Sequence, residues 1–122
     1  MTGLAPGPDG ALYVAEYAGS TLTRVTREGQ VTDVVSQLPV PIAVAFDPTG
    51  LVYILEYRLG RVVRGRLGSS LEWETLVHGL AEPTAMALGP DGNLYISVGG
   101  GKADNAGQVV RLLLNAPTTG TD

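Results

Sequence analysis

The chain has 122 residues and 12.7 kDa, enough for one domain with a modest core, and its net charge of -4 comes with no basic stripe that would hold a phosphate backbone. With no cysteine it forms no disulfide, uses no thiolate nucleophile and holds no Cys-ligated zinc. No apolar run approaches the roughly 20 residues of a membrane span, and Met1 runs directly into patterned residues without the charged and apolar pattern of a signal peptide.

The first predicted strand, a, covers Gly3 to Pro6, and Pro8-Asp9-Gly10 turns the chain, with glycine supplying the positive φ. Strand b, Ala11 to Tyr17, is dense in β-formers and apolar on both parities, as in a strand covered on both faces. Strand c, Thr21 to Thr26, alternates in the half-buried manner, and Arg27-Glu28-Gly29 leads into strand d, Val31 to Leu38. The same four recur as Ile42 to Phe46, Leu51 to Tyr57, Arg61 to Leu67 and Leu71 to Leu80. Pro39, Pro41 and Pro83 fall where one unit hands over to the next, at boundaries that suit a residue unable to donate to a ladder.

A third copy begins at Ala85, and its Tyr95 follows Tyr13 and Tyr53 at spacings of 40 and 42 residues. Four strands in a period of that size predict an all-β β-propeller, one four-stranded blade per repeat. The blades are expected over residues 2–40, 41–82 and 83–114, with a tail at 115–122, together one partial propeller domain. The third is expected to lack its outer strand, because Gln108 to Leu114 runs into a Pro, Thr and Gly-rich end. It also carries a longer b to c loop, since Tyr95 and Arg111 lie 16 residues apart against 11 for Tyr13 and Arg24. Three blades leave open edges. The chain is therefore read as the C-terminal half of a six-bladed ring; the alternative is a half-propeller that closes the ring with a second copy.

The turn and strand Gly89-Pro-Asp-Gly-Asn-Leu-Tyr-Ile-Ser97, with Gly79-Leu-Ala-Glu-Pro-Thr-Ala85 before it, resembles the six-bladed TolB-like superfamily that includes NHL-repeat proteins. A glycine-rich loop followed by Gly107-Gln-Val-Val-Arg111 is most similar to ScyD/ScyE-like proteins. The superfamily holds gluconolactonase-type lactonases, strictosidine-synthase-like proteins, a streptogramin lyase and many non-catalytic binding propellers. The resemblance implies that the b to c and d to a connections share the ligand face, and makes a secreted or periplasmic location an expectation.

That face would carry Glu16, Tyr17, Glu56, Tyr57, Arg58 and the loop with Lys102, Asp104 and Asn105. Glu16, Glu56 and Asp104 are the candidate ligands for calcium or another divalent cation. Glu16 and Glu56 recur, which suits better a role within the blade, accepting hydrogen bonds from backbone N–H groups of the next turn. Arg24, Arg64 and Arg111 recur in strand c, where pairing with an acid of the same or a neighbouring blade is expected. The loop from Gly99 to Gly107 matches neither a phosphate loop nor an EF-hand. His78 stands alone in sequence, and Trp73 suits space-filling between blades. The function expected is non-catalytic binding of a small-molecule ligand or a protein, without nucleic acid. The alternative is a divalent-metal-dependent lactonase or lyase with its site in the central channel, and the stretch Leu94-Tyr-Ile-Ser-Val-Gly99 also resembles quinone-dependent sugar dehydrogenases.

Overall fold

A computed structural model describes residues 2–16, 18–67, 73–99 and 108–114. Their regular structure is entirely β. Strands β1 (Thr2–Pro6), β2 (Leu12–Glu16), β3 (Thr21–Val25) and β4 (Val31–Val35) form one antiparallel sheet in chain order. A second sheet repeats this with β5 (Pro41–Phe46), β6 (Val52–Glu56), β7 (Arg61–Gly65) and β8 (Glu74–Val77). The third has three strands, β9 (Ala85–Leu88), β10 (Leu94–Val98) and β11 (Gln108–Leu112).

The outer strands are shorter than the sequence pattern predicts. The chain leaves β4 after Val35 because Gln37 adopts φ 61°, and β8 ends at Val77 ahead of Gly79 at φ 76°. A left-handed residue cannot continue a ladder. A bulge falls at matching places in the two four-stranded sheets, between Leu22 and Thr23 and between Val62 and Val63.

Side-chain alternation explains how the sheets stack. Tyr13, Ala15 and Leu22 point from sheet one into a buried cluster with Val44, Val52, Ile54 and Val63 of sheet two. The opposite parity of sheet two, Ala43, Ala45, Tyr53, Leu55 and Val62, packs on Leu94, Ile96 and Val98 of sheet three. Because successive residues face opposite sides, the apolar run of β6 has one half for each neighbour. Small residues lie where the inner strands converge: a Cβ on Gly3 would stand 2.5 Å from the Ile42 carbonyl oxygen. Trp73 sits at the wide outer side of the first interface, stacked so closely over Gly65 that a Cβ there would meet its ring at 2.6 Å. It fills the space between two sheets, as its position in sequence predicts.

Candidate functional site

The a to b turns of all three sheets have one construction. Gly7, Asp47 and Gly89 each donate a backbone N–H to the residue four positions on, at 2.8, 3.0 and 2.8 Å. Gly10, Gly50 and Gly92 close the turns at φ 86°, 92° and 83°. A carboxylate then accepts the tyrosine hydroxyl of the following strand: Tyr13 to Asp9 at 3.0 Å, Tyr53 to Asp47 at 2.8 Å and Tyr95 to Asp91 at 2.7 Å. In sheets one and three the acid is the third turn residue and the tyrosine ring lies across the first, which must be glycine; a Cβ on Gly89 would be 2.5 Å from Tyr95. In sheet two the acid has moved to that first position, yet the hydroxyl still reaches it.

These contacts shift the titrations. Burial pushes the Asp47 carboxyl up, but hydrogen bonds from Thr49, Tyr53 and the backbone N–H groups of Leu51 and Thr49 outweigh it and hold the carboxyl below its ordinary value. At Asp91 the Tyr95 hydroxyl is the largest cause of a similar lowering. Burial, with the adjacent carboxylate, raises the Tyr53 phenol.

The recurring arginines are held within their own sheets. Arg24 Nε meets Asp9 at 2.9 Å, Arg111 stands 4.0 Å from Asp91, and Arg64 donates to Glu74 at 2.6 Å with its guanidinium 5.9 Å from the centre of the Tyr53 ring. This end of the sheets is therefore occupied by contacts that serve the repeat.

The opposite end carries the b to c turns and the handovers between sheets. Ser20 and Gly60 occupy matching left-handed positions, at φ 56° and 59°. Their carbonyls accept the N–H of Leu38 and Leu80, both at 2.9 Å. Two residues further on, Val40 and Glu82 take φ 54° and 50°, each just before a proline, a costly conformation for a β-branched residue. Their carbonyls face forward: Val40 accepts the N–H of Tyr57 at 2.7 Å and Glu82 that of Gly99 at 3.0 Å. Each handover is thus tied to a turn of the sheet it leaves and to strand b of the sheet it enters.

The sequence-predicted site residues divide on this framework. Glu16 and Glu56 share a repeat position, but Glu16 is exposed whereas Glu56, between two sheets, is 1% exposed and accepts a hydrogen bond from Arg61 Nε. That pairing uses a side chain across the hairpin rather than the backbone amides expected. Tyr57, Arg58 and Leu59 form an exposed turn, clamped by Tyr57 N to Val40 O at one end and Leu80 N to Gly60 O at the other. Tyr17, Lys102, Asp104 and Asn105 lie outside the described residues. His78 is exposed on the outer side. One residue not singled out by sequence joins this face: Glu82, whose Oε1 is buried and has no hydrogen-bond partner among the described residues. Its only signal was its place in the handover, Gly79-Leu-Ala-Glu-Pro83, matching Gln37-Leu-Pro-Val-Pro41.

Among the described residues no group of three or more His, Asp or Glu side chains is placed to hold a metal ion, and no helix is long and apolar enough to cross a membrane. No family model and no curated protein matches the chain. Solved structures do. A protein assigned as a gluconolactonase aligns over 93% of this chain and 45% of its own, at 20% identity and a TM-score of 0.75. The PQQ-bound aldose sugar dehydrogenase of Streptomyces coelicolor aligns over 89% and 43%, at 24% identity and 0.69, and a streptogramin B lyase over 79% and 33%, at 23% and 0.66. The chain is a partial β-propeller. It spans between a third and a little under half of these neighbours' lengths, so the likeness establishes the fold, and each sheet is a propeller blade.

Proposed function

We propose that this propeller is a ligand- or protein-binding module that engages its target on the face of the b to c turns and handovers. The observation that carries the reading is the clamped turn Tyr57-Arg58-Leu59. Tyr57 and Leu59 are 41% and 47% exposed, and the turn places an aromatic ring, a cation and an apolar side chain together on main chain held at both ends. Tyrosine and arginine are the residue types that most often anchor interfaces, and a preorganised turn loses little entropy on binding. The matching turn in blade one has Ala18 and Gly19 where blade two has Arg58 and Leu59, so the bulky pair is not required by the repeat. Glu82 adds a buried carboxylate oxygen with no hydrogen-bond partner among the described residues at the same end of the sheets. Six blades in the whole ring, and a likeness to ScyD/ScyE-like or NHL-repeat proteins within the TolB-like superfamily, belong to this reading.

The test is a thermal-shift and affinity-capture screen run in parallel on the native chain and on the triple variant Tyr57→Ala, Arg58→Ala, Leu59→Ala. Targets retained by the native chain should be lost by a variant that melts at the same temperature. Retention of every target by the variant refutes the reading.

A second reading, a divalent-metal-dependent lactonase or lyase, draws support from the printed names of two solved neighbours, a gluconolactonase and a streptogramin B lyase. It asks Glu56 to leave Arg61 and ligate a cation from a buried position. A calcium-dependent rise in melting temperature that Glu56→Gln abolishes would favour it over the binding module.

A further inference from the structure

Seven large apolar side chains stand exposed among the described residues, and five of them lie on the two outward flanks of the stack. Leu4, Leu12 and Val31, at 62%, 44% and 66%, line the free side of blade one. Val109 and Leu113, at 69% and 51%, line the free side of blade three.

Position by position these flanks are the two halves of the buried interfaces. On the side that addresses the next blade, Tyr13, Ala15 and Leu22 correspond to Tyr53, Leu55 and Val62, all six buried; blade three presents Tyr95, Ser97 and Val109 there. These three, with Ala85 and Ala87, line an open groove of about 220 Å³. On the side that receives the previous blade, Val44, Val52 and Ile54 are 5%, 0% and 0% exposed, and blade one presents Leu4, Leu12 and Val14 in their place.

We infer that the free flank of blade three receives the free flank of blade one from a second copy of this chain, and the reverse, closing a two-fold dimer. Both existing interfaces join these same two surfaces, so a third junction needs no new chemistry. The lengths fit as well: 93% of this chain matches 45% of the gluconolactonase-type structure, so two copies amount to about one complete chain of that kind. Unlike flanks that meet head to tail either close or run on as a filament, and closure of two copies requires each three-blade unit to turn through half a circle. The inference rests on the fold and is independent of the binding face proposed above.

Sedimentation equilibrium of the 122-residue chain tests it. The expected mass is twice 12.7 kDa. Val109→Asp and Leu4→Asp should each raise the dimer dissociation constant roughly 100-fold or more by burying an uncompensated charge, and Leu59→Asp, away from both flanks, should leave it unchanged. Mixing the Val109→Asp and Leu4→Asp chains should restore a dimer, because one of the two junctions then has both native surfaces; recovery also shows that both variants fold. A monomer would assign the flanks to blades of another polypeptide segment and overturn the inference. So would an open series of larger species, or a dimer that both substitutions leave intact.

Discussion

Replacing Tyr53 with phenylalanine removes one oxygen atom and isolates the contact that recurs in every blade. The side chain is 1% exposed and its hydroxyl donates to Asp47 at 2.8 Å. Because the ring keeps its place between Leu55, Val62 and the third blade, the apolar burial is unchanged. What disappears is a hydrogen bond to a charged acceptor, which contributes about 1.5–3 kcal/mol. Asp47 keeps the Thr49 hydroxyl at 2.6 Å and two backbone N–H groups, so the loss should fall near the lower end, about 1.5–2 kcal/mol. Urea unfolding at neutral pH and fixed protein concentration measures it, with an unchanged m-value showing that the native fold is retained. Tyr95→Phe, with both variants measured in the Leu4→Asp background that keeps the flank of blade three free of a second copy, is the comparison, since Asp91 is more exposed than Asp47 and water can replace the hydroxyl; its loss should be clearly smaller. Equal losses for the two variants, or a Tyr53→Phe loss within error of zero, would refute the view that the tyrosine-acid contact gains its strength from burial between blades.

Three further outcomes follow from the same geometry. Arg61→Ala should destabilise by about 3 kcal/mol because it leaves Glu56 charged and buried, whereas Glu56→Ala should cost less, since Arg61 is 31% exposed and can turn to water; chemical denaturation that reversed this order would contradict the burial argument. Gln37→Gly should raise stability by about 0.5–1 kcal/mol, because Gln37 is exposed at φ 61° where blade two has Gly79, and a lower melting temperature would show that the left-handed strain is not released there. Asp9, Asp47 and Asp91 have lowered native pKa values, so their contribution is present above the ordinary carboxylate range and lost as pH falls through the native values. Asp47→Asn should flatten the fall in melting temperature below about pH 4, and an unaltered acid limb would assign acid unfolding to other groups.

Much of this architecture was legible because the repeat carries its own cross-checks. Tyr13, Tyr53 and Tyr95 recur at the same point of each unit, and a strand apolar on both parities, such as β6, can only be covered on both faces. The in-blade role expected for the recurring arginines is seen in their pairing with Asp9, Glu74 and Asp91. The ends of the outer strands were not legible, because Gln37 carries no mark of its left-handed backbone and only its structural match to Gly79 explains it. The face was legible in outline and not in detail. Glu16 and Glu56 are identical in type and repeat position, yet one is a surface acid and the other a buried partner of Arg61, a difference their repeat position does not carry. Glu82 is not legible in the sequence, because one glutamate before a proline resembles any turn residue and only the fold encloses its oxygen.

The consistent orientation of the tyrosine side gives the stack a polarity, like bricks with a stud on one side and a socket on the other. Tyr13 addresses blade two and Tyr53 addresses blade three through the same alternation, so both junctions join the same two kinds of face. A gene encoding such a unit can lengthen by copying a whole repeat in frame, because each copy arrives with one face of each kind. Divergence is then free to collect where the junctions make no demand, as in the clamped turn of blade two, where Arg58 and Leu59 replace the alanine and glycine of blade one.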